Sequence, residues 1–217
     1  MKSKHGDTFN HDPWAAGYDA DVQNEADPIR AGYARLLAWI AERAAQAPAG
    51  LIVDLGSGTG NLTSMLPKDR KVLAVDLSKE MNALAQKKLT ERKVTFVEAD
   101  ILAFVTDEMT PCSCVVSTYA LHHLTAEEKK VALSALADNL PSGGYLLVGD
   151  LMFENESAKR DTVRTLTERG FDGIAGDVEE EFFWDLSQDL QVLQDRHFKI
   201  ETLQVSDLSW GFSATKP

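Results

Sequence analysis

From Ala49 onward the chain alternates strand-length apolar runs with segments of helical periodicity, and this alternation restricts the fold more than any other feature. The runs are Leu51–Leu55, Lys71–Val75, Val94–Val97, Cys114–Ser117 and Tyr145–Val148. Near-continuous apolar strands separated by helices are buried on both faces, which predicts an α/β fold: a parallel sheet with helices on each side. Lys199–Val205 and Leu208–Ala214 then read as two strands joined at Ser206-Asp207. A hairpin is not a parallel crossover, so one antiparallel strand is expected to close the sheet.

The helices are placed by their caps. Asp27 as N-cap and Pro28 as first residue predict a helix carrying Ile29, Tyr33, Leu36, Leu37, Ile40 and Ala44 on one face, ended by Pro48 and Gly50. A short helix is expected over Asn61–Leu66, and Ser78 caps another through Leu89. Thr125-Ala126-Glu127-Glu128 is a capping box for a helix to about Leu140. Lys159–Arg169 reads as a helix with Gly170 as its C-cap, and Phe182–Arg196 as another.

At 217 residues the chain fits one domain, 1–217. Within it, 1–47 forms an N-terminal segment and helix, 49–150 the ligand-binding core, and 151–217 the C-terminal helices and hairpin. Hydrophobic residues make up 44% and charged residues 26%, enough apolar material for a core. No run approaches the roughly 18 apolar residues of a membrane span, and Met1–Asp12 has no apolar leader core, so the expected location is cytoplasmic. Cys112 and Cys114 stand in an apolar run and read as small buried strand residues. The 22 basic and 34 acidic residues leave a net charge of −12, and the longest charge run is Glu179-Glu180-Glu181. That balance disfavours nucleic acid and anionic membrane surfaces as partners.

The chemistry concentrates at the ends of the first three strands. Val53-Asp54-Leu55 runs into Gly56-Ser57-Gly58-Thr59-Gly60, a strand-to-helix turn where a ligand can lie against bare backbone. A dinucleotide fingerprint requires glycine where Asn61 stands, which counts against a nicotinamide-dependent oxidoreductase. Asp54 just before the glycines suits a cationic amine better than a pyrophosphate. Asp76 ends the second strand, where an acid accepts both hydroxyls of a ribose. Asp100 follows the third, where a carboxylate accepts from an adenine amino group while Ile101 packs on the ring. Open α/β sheets bind ligands beyond the carboxyl ends of their strands.

Asp54–Gly60, Val75-Asp76-Leu77-Ser78-Lys79-Glu80-Met81 and Glu98-Ala99-Asp100 resemble class I methyltransferases that use S-adenosylmethionine (AdoMet). Trp14-Ala15-Ala16-Gly17-Tyr18-Asp19 and Ser117-Thr118-Tyr119-Ala120-Leu121-His122-His123-Leu124 are similar to the YrrT-type small methyltransferases. The resemblance runs from about Phe9 to the end. It implies a Rossmann-like sheet of seven strands, mostly parallel, with AdoMet as cofactor and methyl transfer as activity. Carried over by residue, it implies that Gly56, Gly58 and Gly60 line the methionine part and that Asp54 orients its amine. Asp76 would hold the ribose with Leu77 and Met81 nearby, Asp100 and Ile101 would read adenine, Ser117 would lie near the methionyl end, and Tyr18 would close over it.

A sulfonium methyl is already activated, so the protein supplies alignment and a dry cavity, and no metal is required. No residues show metal-ligand spacing in the sequence. The candidate bases are His122 and His123, which diverge and are not expected both to face one acceptor; the competing reading packs one under the next helix and leaves the other lining the cavity without catalysis. His5, His11 and His197 show no partner pattern. A small-molecule acceptor is expected, taken under a lid built from the segment around Trp14 and Tyr18 and from Gly170–Leu186, with Phe182, Phe183 and Trp184. The competing reading is an AdoMet-binding regulator or partner subunit without catalysis of its own.

Overall fold

The computed structural model describes residues 1–6 and 12–217; Phe9 and His11 lie outside the described residues. The central sheet is built from β1 (Ile52–Leu55), β2 (Val72–Asp76), β3 (Val94–Glu98), β4 (Cys114–Thr118), β5 (Tyr145–Phe153), β6 (Trp184–Asp185), β7 (Lys199–Gln204) and β8 (Ser209–Thr215). Its order is β3-β2-β1-β4-β5-β8-β7, with β6 paired beside the end of β5. Strands β1 to β5 are parallel, and β8 alone runs antiparallel to its neighbours β5 and β7. This is the mostly parallel sheet with one antiparallel closing strand that the apolar runs predict. The two-residue β6 is an eighth strand beyond them.

Strand alternation feeds two separate cores. Val53, Leu55, Val115, Leu146 and Val148 point to one face; Ile52, Cys114, Val116 and Leu147 point to the other. The helices are α1 (Tyr18–Asp21), α2 (Tyr33–Ala44), α3 (Asn61–Met65), α4 (Lys79–Lys88), α5 (Ile101–Ala103), α6 (Ala126–Asn139), α7 (Glu156–Glu168), α8 (Asp172–Glu180), α9 (Leu186–Asp189) and α10 (Gln191–Gln194). Helix α6 covers the first face with Ala132, Leu133, Leu136 and Ala137, and α2 covers the second with Leu36, Leu37, Ile40 and Ala44. Each fully buried leucine or isoleucine there contributes about 1.5–3 kcal/mol. Leu36 sits directly on β5 and β8, because a Cβ at Gly149 or Gly211 would stand only 2.8–3.0 Å from Leu36 or Trp39 atoms. Cys112 and Cys114 are free and buried, as their apolar setting predicts, and burial pushes the Cys112 thiol up to about 11.

Two local expectations are corrected. The helix expected from Pro28 begins only at Tyr33. Asp27 instead opens a turn, accepting from Ile29 N at 2.9 Å, and Gly32 at φ +79° breaks helical continuity. A Cβ at Gly32 would stand 2.3 Å from Val205, so the close approach of the β7–β8 hairpin sets this break. Phe182–Arg196 is not one helix. Trp184 pairs with Met152 of β5, and Asp185 then caps α9 by accepting from Ser187 N and Gln188 N. Gly170 does end α7, at φ +80°, but the stretch after it forms helix α8.

Candidate functional site

The ends of β1 to β4 border a cavity that is partly open to solvent. Gly56, Gly58, Asp76, Leu77, Met81, Asp100 and Ile101 line one end. Tyr18, Thr118, Tyr119, Ala120, His123 and Leu124 line the rest, with Ser3 and Gly6 across the mouth. Eight of the residues singled out from the sequence for a cofactor therefore meet around one space: Tyr18, Gly56, Gly58, Asp76, Leu77, Met81, Asp100 and Ile101.

The glycine loop is shaped for close approach. Gly56, Gly58 and Gly60 all have positive φ, at +68°, +53° and +80°. A Cβ at Gly58 would meet nothing within 4 Å, so this backbone faces open space. Gly60 plays a different part from the expected one. Its Cβ position lies 2.7 Å from Leu89, so it lets α3 pack against the end of α4.

Asp76 accepts from Gly58 N at 2.7 Å and Ser78 N at 2.9 Å, one bond on each carboxylate oxygen. Each oxygen keeps a second acceptor site, enough for two hydroxyl donors. Burial raises the Asp76 carboxyl above its ordinary pKa, against the pull of those two N–H groups. Asp100 caps α5 through Ala103 N at 2.9 Å and also accepts from Ser3 N at 3.1 Å and Ser3 Oγ. The N-terminal residues thus cross the third-strand end of the cavity. Their far anchors are Met1 N on Asp107, at 2.6 Å, and Lys4 N on Glu128, at 2.7 Å.

Besides Gly60, two expected cavity residues are elsewhere. Asp54 is sealed beneath the loop, 1% exposed, with Oδ2 accepting from Thr63 Oγ1. Its Oδ1 has no hydrogen-bond partner among the described residues. Burial, partly opposed by Thr63 and reinforced by the charge of Asp76, pushes its pKa up to about 7. Ser117 is fully buried and donates to Leu55 O at 2.8 Å, which ties β4 to β1. Thr118 and Tyr119 take the cavity positions instead. Tyr119 holds φ +50°, and its hydroxyl is bonded to Ser209 Oγ at 2.8 Å.

The N-terminal segment is latched to the glycine loop. Asp19 accepts from Thr59 Oγ1 at 2.5 Å and Asn61 Nδ2 at 3.0 Å, and Lys88 Nζ bridges Asp19 and Asn61 at 2.7 Å each. This latch brings Tyr18 to the cavity wall, where burial raises its phenol pKa. Trp14 stands 61% exposed and is no part of that wall. Phe183 and Trp184 are core rather than lid: Phe183 stacks on Phe153, and Trp184 meets Phe212 edge-on.

The paired histidines divide as expected, one lining the cavity and one packed inside. His123 is on the cavity wall. His122 is buried, with Nδ1 2.5 Å from Asp150 Oδ1 and its backbone N donating to Asp150 Oδ2 at 3.0 Å. Burial raises the Asp150 carboxyl, but the charge and hydrogen bond of His122, with donors Leu151 N and Trp184 Nε1, outweigh it and hold the pKa below the usual carboxylate range. Spacing along the chain shows no metal-ligand cluster, yet the fold assembles one: ligand atoms of His122, His123 and Glu181 lie within 4.8 Å of one another. Glu181 was legible only as part of an acidic run.

The glycine cradle and the carboxylates of Asp76 and Asp100 suit a ligand with a ribose and a base, and the comparisons agree. Residues 52–144 match the family model described as a methyltransferase domain. An uncharacterized methyltransferase of Bacillus cytotoxicus is 34% identical over 97% of this chain and 99% of its own. One from Geobacillus thermodenitrificans is 33% identical over 94% of each chain. The crystal structure of magnesium protoporphyrin IX methyltransferase from Synechocystis PCC 6803 with bound S-adenosylhomocysteine is 20% identical and covers 98% of both chains at a TM-score of 0.70. The chain belongs to the class I AdoMet-dependent methyltransferases. It is an enzyme, and its cofactor is AdoMet.

Proposed function

We propose that this single-domain methyltransferase acts in the cytoplasm on a small-molecule acceptor, without a metal. The observation that carries the reading is the continuity of one cavity from Gly58, Asp76 and Asp100 to Tyr119, His123 and Leu124. Bound AdoMet supplies a sulfonium methyl ready for in-line displacement. Gly56 and Gly58 give bare backbone to its methionine part, Asp54 acts on its ammonium only from beneath the glycine loop, Asp76 accepts the ribose hydroxyls, and Asp100 and Ile101 take the adenine. Leu77 and Met81 pack beside them, and Tyr18 closes the wall and excludes water.

His123 faces the acceptor half and takes the proton of a hydroxyl, amine or thiol as the methyl transfers. His122 does not reach the cavity wall; its bond to Asp150 and its ring 4.0 Å from His123 hold that wall in place. The net charge of −12 repels polyanions, which favours a neutral or cationic metabolite over a nucleic acid. Among the described residues no helix is long and apolar enough to cross a membrane. The test is release of S-adenosylhomocysteine across a panel of neutral and cationic metabolites, with and without EDTA. Turnover of at least one metabolite, unchanged by chelator, is the expected result. Turnover of nucleic acid only, or loss with EDTA and recovery with a divalent ion, refutes the reading.

A further inference from the structure

His122 and His123 share one tight turn, Leu121–His123, at the acceptor end of the cavity. Glu181, immediately after α8, reaches back to them and brings Oε2 to 3.6 Å from His122 Nε2. The two imidazoles and the carboxylate come from chain positions far apart, and their ligand atoms fall within 4.8 Å of one another. Tetrahedral bonds of 2.0–2.1 Å place neighbouring ligand atoms ~3.3 Å apart. The His122–Glu181 pair, at 3.6 Å, is already near that separation.

What surrounds the cluster has the form of a metal's outer shell. A ligating histidine usually presents its second ring nitrogen to a carboxylate, which fixes the tautomer and raises ligand basicity. His122 Nδ1 is held 2.5 Å from Asp150, a residue with no solvent exposure, leaving Nε2 directed at Glu181. Asp150 is itself fixed by Leu151 N at 2.9 Å and Trp184 Nε1 at 3.2 Å. The Glu181 side chain retains 30% exposure, and His123 opens on the cavity, so an ion has a path in.

We propose that His122, His123 and Glu181 form a binding site for a divalent transition ion of the zinc class, and that an ion held there inhibits methyl transfer. Two imidazoles and one carboxylate suit zinc and disfavour magnesium or calcium, which take oxygen ligands. Three protein ligands leave the fourth position open towards the cavity. The inhibitory half rests on the reading of His123 as proton acceptor, because the ion occupies the lone pair that the proton needs.

The test uses the full-length, tag-free protein stripped with chelator and titrated by calorimetry with zinc sulfate or magnesium chloride. One zinc per chain should bind at micromolar concentration or below, and magnesium should not. Glu181→Gln should weaken zinc about tenfold or more while AdoMet still binds, and Asp150→Asn should weaken it about 10–100-fold. Zinc should slow turnover of the wild type, and EDTA should restore it. Absence of zinc binding, or equal zinc affinity in wild type and Glu181→Gln, overturns the site. Zinc that binds through these residues yet raises turnover overturns the inhibition and the metal-independent reading together. If His123→Asn turns over normally while zinc binds the wild type as described, the proton-acceptor reading and the inhibition fail and the site stands.

Discussion

Replacing Asp54 by asparagine should stabilise the ligand-free protein at alkaline pH and weaken AdoMet binding. The carboxyl is sealed from water, one oxygen is held by Thr63 and the other lacks a partner among the described residues. Its pKa is about 7 in the folded chain against an ordinary 3.8. Between those values the folded protein binds more protons than the unfolded chain, so stability is present in full below pH 3.8 and is lost as pH rises through 7. The full difference is worth about 4 kcal/mol, at roughly 1.4 kcal/mol per pKa unit. Of this, about 2.5 kcal/mol falls between pH 5 and pH 8. Asparagine keeps an acceptor for Thr63 and does not titrate; its unpaired amide costs about 1–3 kcal/mol, equally at both pH values. The mutant-minus-wild-type difference should therefore rise by about 2.5 kcal/mol from pH 5 to pH 8, measured by urea unfolding without AdoMet. Parallel pH profiles for the two proteins would refute the burial argument. In calorimetry at pH 8 the mutant should bind AdoMet more weakly, because the carboxylate charge acts on the ligand's ammonium across the glycine loop. Unchanged affinity would remove Asp54 from the amine site.

Three further outcomes follow from the same geometry. Asp76→Ala should cost about 1.5–3 kcal/mol of AdoMet affinity by calorimetry, and equal affinity in the two proteins would sink the ribose assignment. His123→Asn should lower kcat by about 100-fold or more with a much smaller change in AdoMet Kd; a kcat near wild type would mean that no base acts from this wall. Deleting Met1–Tyr18 removes a cavity wall and the contacts to Asp100, so AdoMet should bind more weakly and turnover should vanish while the far-ultraviolet circular dichroism keeps its α/β form. Full activity in the truncated protein would dismiss the lid.

The parts legible in the sequence are those whose physics is local. The capping box at Thr125 and Glu128 and the Ser78 cap lie within one turn, and both form as the residue spacing predicts. Strand-length apolar runs locate β1, β2, β4 and β5, because strands inside a sheet covered on both faces tolerate little else, and the edge strand β3 keeps a shorter apolar run. The α2 start was illegible because Val205, more than 170 positions away, forces the break at Gly32. The aromatics Phe182, Phe183 and Trp184 look the same in sequence whether they line a lid or a core. Pairing of Trp184 with Met152 decides the matter, and no local pattern announces that pairing.

The same distinction explains why the cofactor half of the site was readable and the acceptor half was not. Gly56, Gly58, Asp76 and Asp100 each stand directly after a strand, so strand order alone brings them to one edge of the sheet. Their positions follow from a backbone pattern that any chain of this fold must repeat. The proposed acceptor half draws instead on Tyr18, Tyr119 and His123, from the N-terminal segment and the connection between β4 and α6. These are segments added to the sheet, free to change without disturbing its register. Substrate choice in this protein should accordingly be sought in Tyr18, Tyr119 and His123, not in the glycine loop.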